Sequence, residues 1–130
     1  MSLRRLVARN ISRETILAER LEDGSSFWAK FMGLMGRASL PPGDGLWLPG
    51  ENGIHMLFMR FPIDVVFVSP PLGEPNGRRR VLFARSAVRP WRGVVWRVAR
   101  AKGVLELPVG TIASTNTNVG DEIEIEIETA

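Results

Sequence analysis

Short apolar runs broken by Gly, Pro and polar clusters set the rhythm of this chain, and most of them carry the two-residue alternation of strands rather than the helical repeat. Leu3–Asn10 and Glu14–Glu22, separated by Ser12 and Arg13, read as an opening hairpin. Phe27, Trp28, Phe31 and Leu34 recur at near-helical spacing behind Ser25 and Ser26, with Gly33 and Gly36 placed to end the element. They predict one short helix near residues 26–34. Pro41-Pro42-Gly43-Asp44-Gly45 and Pro49-Gly50-Glu51-Asn52-Gly53 are turns leading into strands at Leu46–Leu48 and Ile54–Met59. Pro62 donates no ladder hydrogen bond, so a bend is expected before the next strand, Ile63–Val68.

Residues 69–77, rich in Pro and Gly, read as an exposed loop, and Val81–Val88, Val94–Ala99 and Val104–Leu107 are further strands, the middle one also compatible with helix. The cleanest periodicity closes the chain, where Ile123, Ile125 and Ile127 alternate with glutamates as in a half-buried antiparallel strand. Many short strands, one helix and no βαβ alternation predict a mainly β domain. The expected form is an antiparallel β-sandwich, jelly-roll-like, or a partly open barrel.

At 130 residues with 45% hydrophobic content, the chain fits a single domain spanning residues 1–130. No internal repeat or interdomain linker interrupts it. Cysteine is absent and His55 is the lone histidine, so disulfides, thiolate catalysis, Cys-ligated zinc and a multi-His metal site are excluded within one chain, and no metal or cofactor is expected. The charged N-terminus lacks the features of a secretory signal, and no uncharged apolar run approaches the roughly 20 residues that span a bilayer. A soluble, most simply cytoplasmic protein is expected.

The net charge of +3 hides a strong asymmetry. All 17 Lys and Arg precede residue 104 together with only eight of the 14 acids, a local balance of +9. The segment Arg78–Lys102 contains nine basic residues and no acid. Two readings follow: a surface for a polyanion, or strand pairing with the acidic tail, which the sequence favours. Arg outnumbers Lys by 15 to 2 throughout, so arginine abundance is not particular to this segment.

Three stretches in order resemble a known family: Gly33–Trp47, Ile54–Phe67, and Gly103–Gly110 followed by Val119-Gly120-Asp121. Together they resemble the domain-of-unknown-function family numbered 192 over about residues 30–125, and Arg89-Pro90-Trp91-Arg92 sits where related chains carry a similar element. The resemblance implies a small β-sandwich or jelly-roll-like domain, found mostly in bacteria and archaea and exported in some cases. It implies no reaction and transfers no active-site residue. The Arg- and Pro-rich excursion from Pro70 to Arg80 departs from the family pattern.

Asp64 lies in the apolar strand Ile63-Asp64-Val65-Val66-Phe67, where a carboxylate needs partners. It either accepts backbone N–H groups freed near Pro62 or pairs with Arg60 or Arg37 to fix the turn, or it serves as a base or ligand anchor. His55 beside Asp64 across the bend would make an orienter and base, yet Ser39, Ser69 and Ser86 sit in no nucleophile motif. Glu106 in Val104-Leu105-Glu106-Leu107-Pro108 is an outward strand residue or a cleft carboxylate, and with Asp64 would suit glycoside chemistry. Among Trp28, Trp47, Trp91 and Trp96, Trp91 between Pro90 and Arg92 is the favoured exposed aromatic. Gly33–Gly36 and Gly43–Gly45 lack the spacing of a phosphate-binding loop.

The sequence therefore points first to a noncatalytic ligand-binding or accessory module. Its expected cleft lies near the His55–Asp64 strand, with His55, Arg60, Asp64, Trp91, Arg92, Glu106 and Arg37 as residues for a small polar or anionic ligand. Nucleic-acid binding through Arg78–Lys102 and an enzyme using Asp64 with His55 are the alternatives.

Overall fold

Seven of the predicted strands bury one face each around a common interior. The computed structural model describes residues 5–24, 37–56, 59–73, 77–95 and 97–128. Its strands are β1 (Arg5–Asn10), β2 (Thr15–Asp23), β3 (Asp44–Pro49), β4 (Ile54–His55), β5 (Ile63–Val68), β6 (Arg79–Val88), β7 (Val94–Val95), β8 (Gly103–Pro108) and β9 (Glu122–Glu128), with one helical turn, α1 (Thr111–Ser114). They form a closed barrel in the order β1-β2-β3-β8-β5-β6-β9, β9 returning to pair with β1, and a two-stranded ribbon of β4 and β7. A mainly β architecture is as expected, resolved in favour of a barrel, which removes sheet edges by closure.

Every ladder is antiparallel except one. β2 and β3 run parallel, Arg20 opposite Asp44 and Asp23 opposite Trp47, so β3 begins beside Arg20 and not beside Asp23, where the chain leaves β2. The helix predicted near residues 26–34 falls outside the described residues. Ile63–Val68 is a strand over its predicted length, but Ile54–Met59 is a strand only at Ile54 and His55. The Met59 N–H turns back to the Met56 carbonyl (3.2 Å) and Pro62 then keeps the chain out of a ladder until Ile63. Val94–Ala99 is likewise a strand only at Val94 and Val95, and positive φ at Arg97 (48°) and Arg100 (68°) turns the chain repeatedly after it.

Two cores follow from the period-two alternation. Leu6, Ala8, Leu17, Leu21, Trp47, Val66, Val68, Val81, Leu105, Leu107 and Ile123, contributed by all seven barrel strands, fill the interior. Leu46, Leu48, Ile63, Val65, Phe67 and Val104 face outwards into a second core, roofed by Leu40, Ile54, Met56, Met59 and Val95. The β4–β7 ribbon is thus a cover over the outer face of β3, β8 and β5. Successive residues of these strands serve different layers, and this places polar side chains at Asp64 and Glu106 on opposite faces of one sheet.

The acidic tail performs the pairing role foreseen for it, in part. Arg79 and Arg80 lie opposite Ile123 and Glu122, and Arg78 and Arg80 form ion pairs with Glu122 and Glu124 at 3.2–3.6 Å. Arg79 instead sits over the Trp47 ring, 4.9 Å from its centroid, and donates to the Ser69 and Lys102 carbonyls. At the other end of the barrel a buried polar network ties the first hairpin to the last loop: the Asn10 amide donates to Thr117 Oγ1 and Asp121 Oδ2, both at 3.0 Å, and Arg13 Nε donates to Asp121.

Candidate functional site

β5 presents Asp64 inwards, since Val66 and Val68 on the same face belong to the barrel interior. The residue is 0% exposed, and its carboxylate accepts three backbone N–H groups: Ala87 on Oδ1 (2.9 Å), and Gly110 (3.1 Å) and Ile112 (2.9 Å) on Oδ2. Gly110 caps α1 and Ile112 lies within it, and the third donor, Ala87, occupies a position of β6 with φ of 53°. Asp64 is therefore a clamp that satisfies irregular backbone from two other segments. Its donors come neither from the Pro62 bend nor from Arg60 or Arg37, because Asp64 faces the barrel while that bend lies on the outer layer.

β8 presents Glu106 the other way. Leu105 and Leu107 point into the barrel, so Glu106 faces the outer layer between Leu46 of β3 and Val65 of β5, its register partners. Asp64 and Glu106 stand on neighbouring strands but on opposite faces of the sheet, an arrangement that cannot flank one glycosidic bond.

Glu106 is only 6% exposed, and among the described residues nothing hydrogen-bonds to it. Burial pushes its carboxyl up to about 7, and the charge of Arg37 opposes that rise. Arg37 is exposed and reaches Glu22 of β2 through NH2–Oε2 at 2.7 Å and NH1–Oε1 at 3.4 Å. Glu22 opposes Leu46, which opposes Glu106, so the three residues form one cross-strand row on the outer face of β2, β3 and β8. The row, with Arg37 bridged to its Glu22 end, sets an acid that is half-protonated near neutrality and a carboxylate–guanidinium pair over apolar surface. Such a set can accept and donate hydrogen bonds to a polar ligand and can neutralise an anionic group.

The other anticipated residues lie on the ribbon and its flanks. His55 is exposed on β4 opposite Val94, and the Trp91 N–H donates to the Met56 carbonyl (2.7 Å). His55, Trp91 and Arg92, far apart in sequence, thus come onto one outward surface, Trp91 being 53% exposed. Arg60 is exposed in the turn before β5. His55 shares no hydrogen bond with Asp64, because the ribbon and the barrel interior are separated by the outer core.

Glu22 was not anticipated. Its role depends on the parallel register of β2 with β3, which local sequence does not encode. A separate cleft of about 550 Å³ between β2 and α1 is lined by Ile16, Leu17, Pro108, Val109, Thr111 and Ser114, none of them anticipated. The Thr111 and Ser114 hydroxyls there donate to main-chain carbonyls. Among the described residues no three His, Cys, Asp or Glu gather into a metal-binding group, and no helix is long and apolar enough to cross a membrane.

The sequence pattern of the domain-of-unknown-function family DUF192, described as an uncharacterised ACR, matches residues 9–125 and so includes the first hairpin as well as the three motif stretches. A UPF0127 protein of Thermococcus sibiricus is 33% identical over 123 residues, covering 92% of this chain and 74% of that protein. A protein of unknown function from Novosphingobium aromaticivorans has a solved structure with a TM-score of 0.74 at 22% identity, covering 92% of this chain and 83% of its own. A Sinorhizobium meliloti protein provisionally described as a transcription regulator also gives 0.74, at 20% identity with 95% and 92% coverage. At these identities the two structures speak for the fold alone.

Proposed function

The chain belongs to the uncharacterised DUF192 family, and we propose that it is a noncatalytic binding module that holds a small polar or anionic ligand against Glu106 and Arg37. One observation carries the proposal: Glu106 is a nine-tenths buried carboxyl on an apolar sheet face, without a hydrogen-bond partner among the described residues, in the field of an exposed guanidinium. Among the described residues no fully buried side-chain oxygen or nitrogen lacks a partner, so the Glu106 carboxyl meets solvent at the edge of the outer layer, where a ligand can replace water as its partner. Asp64, by contrast, has both carboxylate oxygens engaged by backbone N–H groups, which supports a scaffold role.

Among the described residues the register neighbours of Glu106, Leu46 and Val65, are aliphatic and offer no nucleophilic hydroxyl. Recognition rather than covalent chemistry suits that setting. Because Glu106 donates a hydrogen bond only when protonated, an anionic ligand binds more tightly below pH 7 than above it.

The test is thermal stabilisation of the full chain by a panel of hydroxy acids, sugar phosphates and neutral oligosaccharides, in parallel with Glu106→Gln and Arg37→Gln. A ligand present at about 100 times its Kd adds roughly 2.7 kcal/mol, a rise in Tm of roughly 5–15 °C for a domain of this size. The rise should vanish in Arg37→Gln and lose its pH dependence in Glu106→Gln. A ligand that stabilises both variants as it does the parent, or a panel with no stabilising member, refutes the proposal.

A further inference from the structure

Residues 89–95, with Val98 beyond them, run antiparallel to residues 52–56 as a strap across the outer core. The Met56 N–H donates to the Gly93 carbonyl (2.9 Å) and the Val98 N–H to the Asn52 carbonyl (2.8 Å), on either side of the β4–β7 pairs. Ile54, Met56 and Val95 are buried beneath the strap, which turns His55, Arg92 and Val94 away from the protein. Close packing holds it there: a Cβ at Gly93 would collide with the Val88 side chain and the Arg89 carbonyl.

The charge on and beside this strap is one-sided. Arg85, Arg89, Arg92, Arg97, Arg100 and Lys102 are all exposed. Among the described residues none of them enters an ion pair, in contrast to Arg78 and Arg80, which face Glu122 and Glu124, and to Arg79, which covers Trp47. No acid occurs anywhere between Glu74 and Glu106. Structure therefore divides the basic segment: its first three arginines serve the fold, and the remaining cations keep their charge at the surface. Trp91 stands among them between Arg89 and Arg92, half-exposed and held at a φ of 65°.

We infer that the strap is a docking surface for single-stranded nucleic acid, with phosphates on Arg89, Arg92 and Arg97 and a base against Trp91. Concentrated, unneutralised cations attract a polyanion at long range and release its counterions on contact. An aromatic side chain among them favours a partner with exposed base faces, which single strands offer and duplexes do not. A duplex is read by a helix or a two-stranded ribbon that enters a groove; α1, the one helix among the described residues, is four residues long, and the β4–β7 ribbon has two residues in each strand and packs flat on the outer core. This surface is distinct from the Glu106 site, so either can fail without the other.

Fluorescence anisotropy of a labelled oligo-dT of about 20 nucleotides, long enough for a site of this kind, tests the assignment with the full chain. Three phosphate contacts to a single strand give a log–log salt slope near −2.1, so raising NaCl from about 50 to 200 mM should weaken binding roughly 20-fold. Arg89→Gln with Arg92→Gln and Arg97→Gln should lower affinity at least ten-fold at the lower salt and flatten that slope. Trp91→Leu should cost roughly ten-fold with the slope kept. Arg78→Gln with Arg80→Gln should change nothing, and melting curves establish that each variant is folded. No binding at low salt, a folded triple variant that binds as the parent does, or equal binding of the matching duplex or of poly-glutamate each overturns the inference.

Discussion

Replacing Glu106 by Gln removes a titration whose energetic consequence the structure specifies. In the unfolded chain this carboxyl ionises near its ordinary value of 4.5, whereas in the barrel it holds its proton up to about 7 because the outer layer desolvates it. The folded pKa lies above the unfolded one, so below pH 4.5 both states are protonated and the residue is neutral in its effect. Between 4.5 and 7 the unfolded state alone loses the proton, and stability falls by about 1.4 kcal/mol per pH unit. Above 7 both states are ionised and the loss stays constant at about 3 kcal/mol, taken across the interval from 4.5 to about 7.

Glu106→Gln has nearly the same volume and no charge, so it should match the parent at pH 4.5 and exceed it by about 3 kcal/mol at pH 8, roughly 10 °C in Tm for a domain of this size. Urea unfolding at half-unit steps from pH 4 to 8.5 on both proteins isolates the effect, since every other group cancels in the difference. Arg37→Gln should enlarge it, because the guanidinium charge limits the rise. Two parallel curves would refute the burial argument. A variant less stable than the parent at pH 8 would refute it more sharply, by assigning Glu106 to a favourable ion pair in the fold.

Other substitutions probe the scaffold. Asp64→Ala leaves the N–H groups of Ala87, Gly110 and Ile112 without their acceptor and should cost roughly 3 kcal/mol or more in urea unfolding, while a loss under about 1 kcal/mol would show the clamp to be dispensable. Gly103→Ala drives a Cβ into the Trp47 indole and should lower Tm by several degrees, overpacking costing about 1–3 kcal/mol; pairing it with Trp47→Leu should recover part of that loss. Burial opposes ionisation of Asp121, but hydrogen bonds from Arg13, Asn10 and the Asn118 N–H outweigh it and hold the carboxyl below its ordinary value. Its contribution is present above the unfolded pKa and is lost as pH falls through the lower folded one. The stability gap between the parent and Asp121→Asn should therefore be constant above about pH 5 and close in stronger acid.

Where local pattern sets the outcome, the sequence was legible. Strand β5 was readable to the residue, because an unbroken apolar run behind Pro62 admits few alternatives. The glutamates of β9 announced a strand with one wet face, and the arginines that meet them, Arg78 and Arg80, were foreseen as a class. What local pattern cannot carry is register between distant strands. The parallel step from β2 to β3 decides that Glu22, Leu46 and Glu106 share a row, and it is set by which residue of β2 the start of β3 lies beside. The ribbon is similar: two strands of two residues each have no periodicity, and only their covering of the outer core makes them strands.

Asp64 and Glu106 show why a residue's pattern is not its role. Each is a carboxylate inside an apolar strand, on adjacent strands of the same sheet, and the sequence offered each a structural and a functional reading: a turn-fixing acceptor or a base for Asp64, an outward strand residue or a cleft carboxylate for Glu106. They differ by one step of alternation. That step turns Asp64 toward the end of the barrel where the β8–α1 turn and the irregular end of β6 deliver three amide donors. It turns Glu106 toward a layer of aliphatic side chains where the nearest charge, Arg37, is already bridged to Glu22. A carboxylate with three amides is finished as a structural element, and Asp64→Asn should disturb folding and ligand binding in proportion. A carboxyl with no amide donor among the described residues is free to meet a ligand, and Glu106→Gln should separate the two, raising stability at pH 8 while removing the pH dependence of ligand binding. A Glu106→Gln protein that gained stability and kept full, pH-dependent ligand binding would leave the burial argument standing and move the ligand elsewhere on the molecule.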